Sequence, residues 1–422
     1  MSALGYHLSK VLDFNNILSN LPFDKSKINV LEYSTKSNQK YKIVRYDKEI
    51  LTFDLIDTYG LFRSVILNNE NCVVCFAPPK SFSYETFIEK YKESENHFEN
   101  IVAEEFVEGT MINLFWDPSI GLYGSWEIST RNTVSANVSF YKTSDGKTFN
   151  SMFMEACSVN QLDINKLDKG YCYSFVLQHP ENRIVIPFTK AQLYLVEIYQ
   201  IVTYTNINAN EIIVYPQNIR NYLQYGFQDS LVKIPERYTW TSYKNLKQTY
   251  TSHNTGYDIL GIIIKNIETG ERCKIRNPVY EEIRRLKGNQ PKLQYQYLCL
   301  RQQGKMRDFL KYYPENKADF SKFREQMHAF TNTLFQNYIS CYINKVKPLK
   351  DFPLPFRNHM FQLHKLYLDE LKEKKQYVTN TVVIKYMNDL HPSQQMYSLN
   401  YNMRKRMVDF IKVDSEQEQH EQ

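Results

Sequence analysis

Between Arg272 and Lys311 the chain carries eleven basic residues, Arg272, Lys274, Arg276, Arg284, Arg285, Lys287, Lys292, Arg301, Lys305, Arg307 and Lys311, against three acids, Glu281, Glu282 and Asp308. The local balance of +8 exceeds the +6 of the whole chain. Tyr280, Tyr295 and Tyr297 are interleaved with these charges, a mixture that suits a phosphate backbone whose bases stack on rings. A basic stretch taken alone is more often a solvated face. Within this one, CKIRN reads as a strand with Lys274 and Arg276 on one face and Ile275 on the other. A second stretch, AEEFVEGTMINLFW from Ala103 to Trp116, reads as two strands joined by a tight glycine turn, with Glu108 beside Gly109. Other reactive side chains do not assemble by spacing. Cys72 and Cys75 lack a matching second pair, and His253, His328, His359 and His364 show no metal-ligand spacing, so no metal site is expected.

Two kinds of chain must position these residues. From about residue 28 to 280 the pattern is dominated by short β-type runs, among them YKIVRYD, SVILNN, NCVVCFAP, YCYSFVLQ, NRIVIPF, AQLYLVEIYQIV and LGIIIKN. Helical patterns such as SYETFIEKYKESE and FNSMFMEACSV are fewer. After NPVYEEIRRLKG the apolar spacing turns helical, with a break at Pro348 and DFPLPF. The expected organisation is an α+β domain of antiparallel sheets with helices over 1–285, an all-α domain over 286–412 and an acidic disordered tail over 413–422.

Composition agrees with an ordered protein: 42% of the 422 residues are hydrophobic and 23% charged. The 33 tyrosines and 25 phenylalanines fit compositional bias better than a stacking surface. Seven irregularly spaced cysteines read as reduced thiols. The N-terminus has no continuous apolar core of the signal-peptide kind, and no run approaches the roughly 18 apolar residues of a membrane span. An intracellular, cytoplasmic protein with no membrane partner is expected, a large DNA virus factory or virion being a further possible setting.

Taken in order, GLFRSVILN with Arg63, EEFVEGTMINLFW, WEISTRNTVSAN with Arg131, YSFVLQHPENRIVIPF with Arg183, and LGIIIKNIETGERCKIRNPVY ahead of a helical region resemble the covalent nucleotidyltransferases, most closely the bacteriophage RNA ligase 1 type. The resemblance covers about Ile43 to Tyr280. In that family a lysine, followed two residues later by an acid and then by glycine, attacks the α-phosphate of ATP to form a lysyl-AMP. The resemblance places that lysine at Phe106, with Glu108 and Gly109 retained. Two carboxylates associated with the ribose and metal fall on Val176 and Leu260, which cannot ligate a hard cation. Asp258, read as lying on the same strand face two residues before Leu260, is the candidate substitute acid. No lysine occurs between Lys92 and Lys142 to act as a displaced nucleophile. Phe106, Val176 and Leu260 are expected to be core residues that partly fill the old pocket, each contributing about 1.5–3 kcal/mol if fully buried. The resemblance implies phosphate-contacting or structural roles for Arg63, Arg131, Arg183, Lys274 and Arg276.

The function so implied is a catalytically inactive RNA ligase-like protein that binds RNA or another nucleic acid through the basic junction, with Arg284, Arg285, Lys287, Lys292, Arg301, Lys305 and Arg307 as contacts. No cofactor is expected on this reading. ATP and Mg²⁺ enter only under the alternative of an active ligase with an unorthodox site. A third alternative is a structural or accessory subunit, viral in setting, that binds a protein partner through the helical domain.

Overall fold

The computed structural model describes residues 5–49, 51–94, 98–139, 146–205, 210–222, 226–290 and 292–402. The acidic tail expected at 413–422, and the end of the helical region from 403 onward, lie outside the described residues. The chain divides into two compact units, Met1–Arg284 and Arg285–Gln422.

The first unit is built on three antiparallel sheets. Lys40–Tyr46, with sequence KYKIVRY, shows why: Tyr41, Ile43, Val44 and Tyr46 are buried while Lys42 and Arg45 point away from the core. It pairs with Ile28–Ser34 and Val65–Leu67, and Val73–Phe76 completes a four-stranded sheet. The six-stranded sheet has Tyr171–Gln178 near its middle, between Gln192–Thr205 and Thr110–Asp117. Cys172 through Leu177 are all buried, because this strand is covered on both faces. On one side Cys172 joins Phe76, Phe115 and Tyr199 in the core shared with the four-stranded sheet. On the other, Tyr173, Phe175 and Leu177 pack with Met152 and Phe153 of the helix Phe149–Val159. That helix starts where the Thr148 hydroxyl accepts the Ser151 N–H.

The third sheet carries the chemistry. Its order is Arg237–Tyr238, Ile101–Glu105, Gly261–Asn266, Arg272–Arg276. Ala103, Ile262, Ile264, Cys273 and Ile275 face a core closed by the helices Tyr84–Lys90 and Tyr243–Tyr250. The period of two then sends Arg272, Lys274 and Arg276 to the opposite face. NRIVIPF, read as a strand from its sequence, forms no strand; after a short helical turn at Pro180–Asn182 it runs as an irregular segment.

The second unit is helical among its described residues, with helices Leu293–Gln302, Met306–Tyr312, Lys317–Tyr338, Leu354–Leu366, Asn380–Asp389 and Pro392–Leu399. The buried rings of Phe309 and Phe320 stack, and Tyr297 meets Phe320 edge-on. Among the described residues no helix is long and apolar enough to cross a membrane.

Candidate functional site

Phe106 follows directly on the strand Ile101–Glu105, and its N–H donates to the Gly261 carbonyl at 3.3 Å. The register sets what lies beside it. Ile263 pairs with Glu104 on one side and Lys274 on the other, and Gly261 pairs with Arg276. Lys274 Nζ therefore stands 5.0 Å, and Arg276 Cζ 5.7 Å, from the centre of the Phe106 ring. Both are within cation–π range. Phe106 is half-buried, not the core residue that its apolar character suggests. The strand ends at Glu105, so the alternation that buries Ala103 no longer places the next side chain, and the ring lies near Lys274 and Arg276 instead.

Val176 and Leu260 are buried, at 6% and 8% exposure. Neither side chain carries an oxygen that could hold a metal ion. Asp258 does not replace them as its sequence position suggested: it is an exposed turn residue, and the strand it was assigned to begins only at Gly261.

Two glycines hold this geometry. Gly109 has φ +151°, and a Cβ there would meet the Leu177 carbonyl oxygen at 2.5 Å and Val176 Cγ1 at 2.7 Å. Gly261 has φ +145°, and a Cβ would lie 2.1 Å from the Ile275 carbonyl oxygen. Backbone strain and overpacking act together, so Gly261→Ala is expected to lower stability by about 2–5 kcal/mol. A urea titration followed by circular dichroism measures the loss, and a shift under about 0.5 kcal/mol would contradict this backbone geometry.

Glu108 is buried at 3% exposure. Its carboxylate accepts the N–H groups of Val185 at 2.9 Å and Ile186 at 3.0 Å. This is why NRIVIPF forms no strand: two of its N–H groups serve a carboxylate instead of a ladder. Tyr280, 1% exposed, also donates to Glu108, and burial followed by that carboxylate raises its hydroxyl above the usual tyrosine range. Glu108 is thus held as the centre of a buried structural network.

The charges acting on Lys274 and Arg63 beside Phe106 are mainly cationic, whereas Arg276 is tied to Glu281 at 2.6 Å. Burial, then Arg272, Arg63 and Arg276, hold the Lys274 amine well below the ordinary lysine range. Burial, then Arg272, push Arg63 down to about 10, with Arg131 also acting against its charge. Arg131, which lies 5.4 Å from the Tyr46 ring centre, is the first cause of a lowered Lys48. Arg45, lowered by burial and then by Arg131, donates to Asn132. Lys80 acts on both Lys48 and Lys274. The charged groups acting most strongly on Lys274, Arg63, Lys48 and Arg45 are other cations. Such a cluster is stable only at a cost that an anion would relieve. Arg45, Lys48 and Lys80 were not singled out in the sequence.

Other basic residues are already engaged. Arg272 is buried and donates to Glu197 at 2.9 Å, where Lys265 also binds at 2.6 Å. Arg276 and Arg284 share Glu281, at 2.6 and 3.3 Å. Arg183 donates to the Val185 carbonyl. In the second unit Arg285, Lys292, Lys305 and Arg307 are exposed, Arg301 is half-buried, and Lys287 lies 5.7 Å from the Tyr313 ring centre. Tyr280 and Tyr297 are buried, so neither is a stacking platform. Among the described residues no group of three His, Cys, Asp or Glu is placed to hold a metal ion.

The chain is 24% identical over 211 residues to an RNA ligase of Rhodothermus phage RM378, a match covering 43% of this chain and 45% of that protein. It therefore spans less than half of that relative. No family model matches. Two solved structures of Naegleria gruberi RNA ligase variants, each with ATP and Mn, overlay with TM-scores of 0.34 and 0.32 at 11% and 9% identity. They cover 50% and 61% of this chain and 58% and 98% of their own, an overlap too loose to carry weight. The phage match supports a relationship between the matched part of the chain and the RNA ligases.

Proposed function

We propose that this chain is an RNA ligase-like pseudoenzyme whose basic cluster around Lys274 holds a phosphate-bearing ligand, such as the end of an RNA or a nucleotide, without forming a covalent adduct. One observation carries the reading: Phe106, which has no lone pair to donate, lies against Lys274, and the charged groups acting most strongly on Lys274 and on Arg63 are other cations. Phosphate oxygens are the natural complement of such a group. Exposed Arg285, Lys292, Lys305 and Arg307 of the second unit extend the basic character along the chain and suit a nucleic-acid backbone.

The test uses labelled ATP and GTP with Mg²⁺ and with Mn²⁺, resolved on a denaturing gel, beside RNA binding by the same preparation at two salt concentrations. The expected result is no adduct, together with RNA binding that weakens steeply with salt. Salt-insensitive or absent binding would sink the reading and favour a scaffold that meets a protein partner.

A second reading is favoured by the position of Lys274. An amine from a strand remote in sequence stands 5.0 Å from the ring at the nucleophile position, and its lowered pKa increases the neutral form. Under that reading a labelled adduct forms, and Lys274→Arg abolishes it. The loss of both acids at Val176 and Leu260 weighs against it.

A further inference from the structure

The second unit contains an open cleft of about 750 Å³, within the range of about 300–1,000 Å³ usual for small-molecule sites. Among the described residues no charged side chain lines it. Part of its wall is the helix Leu354–Leu366, where Leu354, Asn358 and Gln362 follow one another a turn apart and so share one face. All three are exposed. Tyr397 and Tyr401 supply another part, and their ring centres lie 6.2 Å apart at an interplanar angle of 76°. Two rings at that angle make a corner. Tyr397 is 52% exposed and Leu354 53%, so these side chains open onto the cleft and not into a core.

The buried part of the lining is satisfied within the protein. Ser398 Oγ donates to the Gln394 carbonyl at 2.9 Å and lies 2.8 Å from His359 Nε2, while His359 Nδ1 lies 2.9 Å from the Tyr386 hydroxyl. With the serine proton committed to Gln394, His359 carries its own proton on Nε2 and accepts from Tyr386 on Nδ1. Burial holds His359 below the ordinary histidine range, so this floor is neutral. Recognition is left to the rings and to the rim amides of Asn358 and Gln362, each of which offers a donor and an acceptor.

We propose that the cleft binds an uncharged heteroaromatic ring, its face against Tyr397 and its polar edge on Asn358 and Gln362. An anion would meet no cation in this lining and a cation no carboxylate, so either would be desolvated without a partner. An aliphatic ligand would cover two amides without pairing them. A nucleobase presents both a π face and an edge of donors and acceptors, and stacking on tyrosine tolerates any base. A free nucleoside and an unpaired base of an RNA share this chemistry. The site stands apart from the basic cluster around Lys274 and does not rest on it.

The full chain would be titrated with adenosine, ribose and tetramethylammonium, followed by calorimetry and saturation-transfer NMR. Adenosine is expected to bind at millimolar concentration or below, and the other two to give no saturable signal. Tyr397→Ala should weaken adenosine about tenfold or more, the loss of one stacked ring. Asn358→Leu should weaken it about fivefold, the loss of one hydrogen bond. Both residues are exposed, so the melting temperature should stay unchanged. A short RNA and the same RNA lacking its central base separate the two sources: tighter binding of the intact strand that Tyr397→Ala abolishes assigns an unpaired base, and adenosine binding with no difference between the strands assigns a free nucleoside. No adenosine binding at millimolar concentration, equal binding of ribose or tetramethylammonium, or adenosine binding that survives Tyr397→Ala would overturn the assignment. Adenosine carries no phosphate, so Lys274→Met should leave this titration untouched, and failure of one site does not imply failure of the other.

Discussion

Phe106→Lys is expected to carry a covalent nucleotide where the original chain, on the proposed reading, takes none. The argument starts from position. The side chain at 106 is half-buried, follows directly on a sheet strand and is fixed by an N–H bond to Gly261. An amine there would lie among Lys274 and Arg276, whose charges now flank the ring. Like charges disfavour an ammonium, so the new lysine would titrate below its ordinary value and present more of the neutral nucleophile. The reaction would form a P–N bond at the α-phosphate and expel pyrophosphate, with the amine proton leaving to solvent. The rate should be poor. Val176 and Leu260 remain apolar, and loss of one well-placed electrostatic contact commonly lowers a rate by about a hundred- to a thousandfold. Labelling over hours with Mn²⁺ is therefore the expected scale. Phe106→Arg, which keeps the charge without a usable nucleophile, should stay unlabelled. If Phe106→Lys binds ATP and still takes no label after a day, Phe106 does not occupy the nucleophile position.

Much of this site can be read from the chain, and the part that cannot has a physical reason in each case. CKIRN shows Lys274 and Arg276 on one strand face because the period of two is a property of the backbone, and Ile275 enters the core as that period requires. Gly109 and Gly261 stand where a side chain would strike a neighbouring strand's carbonyl, and glycine is visible in any sequence. Phe106 misleads because burial depends on what covers a residue as well as on its own polarity. Asp258 misleads because the β-type run before Leu260 looks continuous with the strand, whereas hydrogen bonding to Arg272–Arg276 starts at Gly261.

The cation cluster is the least legible feature. Arg45, Arg63 and Lys80 come from parts of the chain some two hundred residues before Lys274. Only the packing of one sheet near another brings charges such as Arg63 and Lys80 to bear on Lys274. The same limit works in reverse for Arg272, which a linear count includes in the basic stretch but which is tied to Glu197 across a distance of 75 positions. Charge summed along a sequence measures composition. Charge available to a ligand depends on which carboxylates the fold has already supplied.

Lys274→Met is expected to stabilise the free protein while weakening its hold on phosphate, a pairing that a purely structural lysine would not produce. In the free chain Lys274 is desolvated and repelled by Arg272, Arg63 and Arg276. Methionine is of similar length and carries neither penalty, so a gain of about 0.5–2 kcal/mol is expected in thermal or urea unfolding. The pH dependence gives the sign. A lysine whose folded pKa lies below its unfolded value of about 10.4 binds fewer protons in the native state, so stability rises with pH from the lowered value up to about 10.4. That part of the rise should vanish in Lys274→Met. Ligand affinity should run the opposite way in the original chain, falling as Lys274 loses its proton. Binding of a triphosphate should then be accompanied by proton uptake, measurable by calorimetry in buffers of different ionisation enthalpy. Its charge would be met by Arg45, Lys48, Arg63, Lys80, Arg131 and Lys274, with Val176 and Leu260 supplying no metal ligand, so affinity should persist in EDTA. Removing Lys274 should weaken it by about ten- to a hundredfold, the equivalent of a charge-assisted hydrogen bond in a partly desolvated site. A destabilised Lys274→Met with unchanged triphosphate affinity would show that the lysine serves the fold and that the phosphate lies elsewhere.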